Sequence, residues 1–268
     1  MNPEKTNRYS RLIEHVFFAH YTPGAEQVPF ERFELQEAAR DLGIRLPKNL
    51  GDIVYSFRYR VPLPESIRHE APEGKEWIIK PAGRSRYVFV LSASATITPR
   101  EHLAVIKLPN ATPGVIEKYA LSDEQALLAK IRYNRLVDIF TGLTCYSLQN
   151  HLRTFVDHIG QVETDEIYIG VNKSGAHFVI PVQAKGANER IGTIQIQQDL
   201  AMCRSKFPTL IVLPLAAQFL SANAIAIFSF VETGGEILIS EEKHYALVPP
   251  EELSEEELQS YRRASHAT

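Results

Sequence analysis

The chain has 268 residues, 44% of them apolar and 23% charged, with a formal net charge of −3, a composition that fits a globular protein with one large or two modest cores. No apolar run approaches the ~18 residues of a membrane-spanning helix, and the charged, amphipathic start MNPEKTNRYSRLIEHV lacks the apolar centre of a signal peptide. The two cysteines, Cys145 and Cys203, fit a reducing compartment and exclude a disulfide scaffold, so a cytoplasmic protein without membrane association is expected.

Residues 7–20 carry Tyr9, Leu12, Ile13, Val16 and Phe17 at helical spacing. The run Tyr21-Thr22-Pro23-Gly24 ends that helix. Residues 33–42 form a second helix, stopped by Gly43, and Pro47 opens a third over 49–59. Trp77-Ile78-Ile79-Lys80 and Tyr87-Val88-Phe89-Val90-Leu91 flank a Pro-Ala-Gly-Arg turn and read as a hairpin. Three helices followed by a hairpin suggest a winged-helix-like α+β module over residues 1–115, with the third helix for DNA recognition and the hairpin as wing. Lys48, Asn49, Arg58 and Arg60, with Lys80, Arg84 and Arg86 on the hairpin, are its candidate DNA contacts. Arg and Lys suit phosphate or guanine edges, and Asn suits adenine. These first residues carry a small basic excess, whereas the remainder is acidic, most of all in its tail.

Prolines at 99, 109 and 113 mark a connection. Ser122-Asp123-Glu124-Gln125 then reads as a capping box opening a helix to about residue 140. A further helix is expected over 147–158. The segment 163–185, ETDEIYIGVNKSGAHFVIPVQAK, follows. Its two runs rich in β-branched and aromatic residues, 167–171 and 177–182, read as a hairpin. Side chains alternate faces along a strand, so Gln183 and Lys185 share one face. A three-residue loop centred on Ser174 sets Asp165 opposite Gln183 and Glu163 opposite Lys185. A two-residue loop at Ser174-Gly175 would bring Glu166 to Gln183 instead, since a slip of one residue exchanges faces. The first register gathers two acids, an amide and an ammonium, and is favoured.

Residues 192–207 read as a helix whose start is crowded with Gln195, Gln197, Gln198 and Asp199; the amides of Gln195 and Gln198 could meet phosphates or base edges. Strands are expected over 209–217, 224–231 and 236–239. Residues 116–250 therefore form an α/β domain, a mixed sheet flanked by helices, and residues 251–268 an acidic tail.

The acid, amide and lysine cluster suits phosphodiester cleavage. That reaction needs a hard cation to offset phosphate charge and lower the pKa of an attacking water. Mg²⁺ takes oxygen ligands and needs few carboxylates. Asp165 is the main candidate ligand and the amide oxygen of Gln183 the second. Lys185 would orient the water and stabilise the crowded phosphate. Glu163, Glu166 and the helical Glu124 are further candidates.

The segment resembles the core of the PD-(D/E)xK restriction-endonuclease-like superfamily. Asp165 matches the motif's Asp and Lys185 its Lys, while Gln183 stands in the place of the second acid and Thr164 in that of the Pro. The stretch 122–248 is similar to the nuclease part of bacterial restriction-type enzymes. The resemblance implies a restriction-endonuclease-like sheet and a Mg²⁺-dependent, sequence-specific cut in double-stranded DNA that leaves 5′-phosphate ends. Cutting both strands calls for a homodimer on a palindromic target, and a DNA methyltransferase encoded nearby would protect the host. Two other readings stay open: a non-cleaving DNA-binding protein, because Gln183 replaces an acid, and a repair or junction nuclease of the same fold. Zinc-binding Cys and His spacings, a phosphate-binding P-loop and a serine-hydrolase elbow are all lacking from the sequence.

Overall fold

The computed structural model describes residues 3–59, 61–92, 96–119, 124–157, 159–187 and 189–265. The chain begins with α1 (Pro3–His20), β1 (Gln27–Glu31), α2 (Glu34–Asp41), α3 (Gly51–Tyr59), α4 (Glu65–His69), β2 (Glu76–Pro81) and β3 (Arg86–Ser92). The three strands form an antiparallel sheet in the order β1-β3-β2. The helical stripe of α1 explains how helices and sheet join: Leu12, Ile13, Val16 and Phe17 are all buried. Phe17 meets Phe89 and Trp77 edge-on, with ring centroids 5.0 and 5.2 Å apart, the arrangement the ring quadrupoles favour. β1 has no strong sequence signal because Pro29 interrupts it. As an edge strand it tolerates the proline, and Pro29 lies opposite Val88.

The rest of the chain builds a second layer system. After β4 (Thr96–Ile97) come β5 (Val105–Pro109), α5 (Gly114–Tyr119), α6 (Glu124–Tyr133), α7 (Leu136–Thr141), β6 (Thr144–Val156), β7 (Gly160–Val171) and β8 (His177–Lys185). Then follow β9 (Ile191–Gly192), α8 (Thr193–Lys206), β10 (Ile211–Val212), β11 (Leu215–Phe219), β12 (Ala224–Thr233) and β13 (Glu236–Val248). A 3-10 turn (Pro250–Glu252) leads to α9 (Glu255–Ser265). The main sheet is eight-stranded and mixed, in the order β5-β13-β12-β11-β8-β7-β6, with β10 beside β8. The β8–β11 and β5–β13 pairs are parallel. Leu127, Leu128 and Ile131 of α6 pack with Leu136 and Val137 of α7 on one face, over Ile180, Val182 and Ile227. Ile196, Leu200, Met202 and Cys203 of α8 cover the other face. The domain is thus mixed α/β, a sheet with helices on both sides. No helix among the described residues is long and apolar enough to cross a membrane.

Several elements differ from the sequence expectation. The described part of the expected helix, residues 147–157, is not helical: β6 pairs with β7 from Thr144↔Val171 to Val156↔Gly160. Leu148, Leu152 and Phe155 have helical spacing, yet Leu148 and Phe155 are exposed. Pairing with a neighbour, not burial of a stripe, fixes this segment, and tertiary context overrides local pattern. The expected helix to residue 140 breaks at Arg135, which takes φ +50° between α6 and α7. The last strand runs to Val248, well past residue 239. The first part ends before residue 115, because β5 hydrogen-bonds β13 in the second sheet. Within the acidic tail, α9 docks through a Lys107–Glu257 ion pair of 2.7 Å, and Tyr261 Oη accepts from Lys107 N at 3.0 Å. The Ser122-Asp123 cap lies outside the described residues.

Candidate active-site cleft

The site is built on the β7–β8 hairpin. Asn172 N donates to Ala176 O at 3.1 Å, and the Asn172 side-chain oxygen accepts from Ser174 N and Ala176 N, both at 2.9 Å. Gly175 takes φ +79° there, a left-handed turn position that glycine fills without strain. The turn centres on Ser174. Pairing then runs from Val171↔His177 to Glu166↔Val182, the register that sets Asp165 across from Gln183. Beyond Glu166 a side chain takes over from the ladder: Asp165 Oδ2 accepts from Ala184 N at 2.8 Å.

Strict alternation fails just here. Val162 and Ile167, an odd number of residues apart, share one core cluster under α8. The facing residue on β6, His151, takes φ +48°. Thr164 therefore turns towards α8 and is fully buried. Its Oγ1 donates to Asp199 Oδ1 at 2.5 Å. Asp199 Oδ2 accepts from Gln183 Nε2 at 2.9 Å, and the same nitrogen reaches Glu163 O at 3.3 Å. Both amide hydrogens of Gln183 are thus directed at protein acceptors. The Glu163 carboxylate pairs with Arg153 at 2.8 Å on the neighbouring strand.

Burial dominates the electrostatics. It raises the Asp165 carboxyl above its ordinary range, against the Ala184 hydrogen bond and the charges of Lys185 and His151. Burial pushes Asp199 up to about 7, opposed by its bonds from Thr164 and Gln183.

Asp165, Gln183, Lys185 and Glu163 line one cleft of about 650 Å³. Glu124 at the start of α6 and Gln195 and Gln198 of α8 also line it. Its opposite wall is Asn49, Arg58 and Arg84 of the N-terminal part. Other candidates lie elsewhere. Glu166 is on the far face, fully buried, where it meets Arg132 at 3.0 Å and Ser147 Oγ at 2.5 Å; it belongs to a structural ion pair and not to the cleft. Lys80 is half-buried and its pKa is lowered by burial, with Glu236 and Glu232 opposing that shift. Lys48 and Arg86 are exposed outside the cleft walls, and Arg60 lies outside the described residues. Asn49 is engaged locally, since its oxygen accepts from Gly51 N at 3.1 Å and its nitrogen donates to Asp52 at 2.8 Å.

Arg32, His151 and Arg153 also line the cleft and were not legible in advance. Arg32 follows the unforeseen strand β1, and Nε of Arg32 has no hydrogen-bond partner. His151 and Arg153 sit on the strand expected to be a helix. Asp199 stood in plain view at the start of a helix, and only a fully buried carboxylate marks it. Among the described residues no three His, Cys, Asp or Glu side chains gather as a ligand cluster. The donors that could hold a cation are one carboxylate, Asp165, and one amide oxygen, Gln183. No protein-family model, no curated protein and no solved structure matches this chain.

Proposed function

We propose that the protein is a Mg²⁺-dependent endonuclease that cuts double-stranded DNA at a specific sequence, of the type II restriction class, leaving 5′-phosphate ends. The observation that carries this reading is the cleft in which Asp165, Gln183 and Lys185 face Arg58 and Arg84 of the N-terminal part. Acids and an ammonium on one wall and guanidinium groups on the other suit a phosphodiester held between them. In this reading the second domain has the restriction-endonuclease-like fold. The N-terminal part, with sheet order β1-β3-β2, is a winged-helix-like module that presents α3 and the β2–β3 turn to DNA.

The donor set fits a cation that keeps most of its water. One half-buried carboxylate and one neutral amide oxygen leave the remaining positions to water and phosphate, as Mg²⁺ prefers, whereas zinc demands more protein ligands. Asp165 and Gln183 would hold it. When bound, such a cation neutralises phosphate charge and makes the attacking water more acidic. Lys185 orients that water and stabilises the charge that builds on the phosphate oxygens. Arg32, Arg58 and Arg84 neutralise flanking phosphates, and Gln195 and Gln198 contact the backbone or base edges. Two such sites, one per protomer of a homodimer, are needed for both strands. A partner methyltransferase would protect the host's own sites.

The test is incubation of phage DNA with Mg²⁺. Discrete bands are expected from the wild type, and none from Lys185→Ala, whose DNA binding in Ca²⁺ persists. Equal banding from both, or no cleavage by wild type with Mg²⁺ or Mn²⁺ across salt concentrations, overturns the enzymatic reading. The neutral Gln183 in an acid's place favours a second reading, a protein that binds DNA without cutting it. In that case Asp165→Ala leaves divalent-metal binding unchanged. Preference for branched over linear duplexes would redirect the assignment to a repair or junction nuclease.

A further inference from the structure

Two positions depart from the pattern that the hairpin otherwise resembles: Thr164 replaces a proline, and Gln183 replaces an acid. They are far from independent. Both side chains donate to one carboxylate, Asp199 of α8, through Thr164 Oγ1 at 2.5 Å and Gln183 Nε2 at 2.9 Å. Thr164 and Asp199 are fully buried, and Gln183 is 1% exposed. A buried carboxylate is costly unless its oxygens are hydrogen-bonded, and here each oxygen has one donor.

This arrangement fixes which end of the Gln183 amide faces where. An isolated amide can rotate by half a turn and exchange its oxygen for its nitrogen. Asp199 presents its carboxylate oxygens as acceptors, one to Thr164 and one to the amide, and only the nitrogen end of an amide can donate, so it selects the nitrogen. The Glu163 carbonyl at 3.3 Å takes the second hydrogen. With the nitrogen so engaged, the amide oxygen is the remaining polar end of Gln183, a residue that lines the cleft.

We propose that Asp199 is a positioning residue: held by Thr164, it orients the Gln183 amide so that its oxygen, and not its nitrogen, is offered to a divalent cation beside Asp165. The proposal rests on the nuclease reading. It treats the acid that the strand lacks as displaced to the helix behind it, where it acts through the amide and touches neither metal nor DNA.

The test exchanges the acid and the amide. Gln183→Glu sets two carboxylates against each other, and Asp199→Asn offers the Gln183 amide nitrogen a competing amide. Each single variant is expected to weaken Mn²⁺ binding, read by the electron paramagnetic resonance of free Mn²⁺, about tenfold or more. In the double variant Gln183→Glu/Asp199→Asn, the amide at 199 donates to the carboxylate at 183. Binding is expected to return to within about threefold of wild type. Circular dichroism and urea unfolding report whether each variant is folded. A folded Asp199→Asn that binds Mn²⁺ like wild type overturns the positioning role, as does a folded double variant no better than the singles. If Asp199→Asn alone does not fold, the double variant decides: folded and binding supports the proposal, and any other result overturns it. Failure of the wild type to bind Mn²⁺ overturns the nuclease reading itself, a result distinct from wild-type binding that Asp199→Asn leaves unchanged.

Discussion

At the scale of single residues, neighbouring carboxylates on one strand have opposite fates. Asp165 is half-buried at the cleft, bonded by one backbone N–H. Glu166 is fully buried behind it and answered by Arg132 and Ser147. Arg132 is itself a third exposed, so its removal admits some water to Glu166, which keeps its bond from Ser147. Arg132→Ala is therefore expected to cost about 1–3 kcal/mol in urea unfolding. The double variant Arg132→Met/Glu166→Gln should recover most of that loss and keep divalent-metal binding intact. Loss of metal binding in the folded double variant would return Glu166 to the site. The two thiols lie outside the chemistry: burial raises the pKa of Cys145 and pushes Cys203 up to about 12, so neither is a nucleophile at neutral pH.

At the scale of elements, the two edges of the main sheet are managed differently. β6 is an exposed edge with an irregular register between Ser147 and Gln149, a distortion that disfavours further strand pairing. The other edge, β5, is bridged by α9 through Lys107, Glu257 and Tyr261. The Glu257 carboxyl is held down at about 2, first by the hydrogen bond from Lys107 and then by the Ser254 backbone N–H. An unfolded glutamate takes up its proton near pH ~4.3. The folded carboxylate resists protonation, so its contribution is complete above that pH and is lost as the pH falls towards 2. The ring resonances of Tyr261 should shift towards those of free tyrosine across that acid window. In Glu257→Gln the shift should already be present at neutral pH. Acid titration with no such movement, or an unchanged variant, would mean that the ion pair does not hold α9.

At the scale of the whole molecule, the apolar packing falls into separate bodies. One cluster draws on residues 9–91 only, and the others on residues 97–247. What meets between them is the cleft, lined on both sides by charged and polar groups. Cores that share no packing need not melt together. Scanning calorimetry should resolve two transitions, and Ile79→Ala, in the first core, should lower only one of them. A single transition that moves as a unit would show the parts to be energetically fused. A cleft of about 650 Å³ is the size of a small-molecule pocket, so the proposed cut in duplex DNA would require its walls to part, which would break no shared core.

What the sequence determined is what local chemistry controls. The stripe of α1, the glycine turn after Asn172 and the alternation of β8 were legible, and with them the approach of Asp165 to Gln183 and Lys185, because a hairpin's register follows from its own turn. Tertiary structure decided the rest. Residues 147–156 carry a helical spacing that pairing with β7 overrules, β5 gains its place from β13, and Pro29 is accepted because β1 is an edge. Thr164, Gln183 and Asp199 meet across separations of 16 and 35 residues, and no window of sequence encodes a hydrogen bond between elements that packing alone brings together. Lys185 could be read from a strand, whereas the carboxylate that fixes its neighbour's orientation depended on where α8 lies.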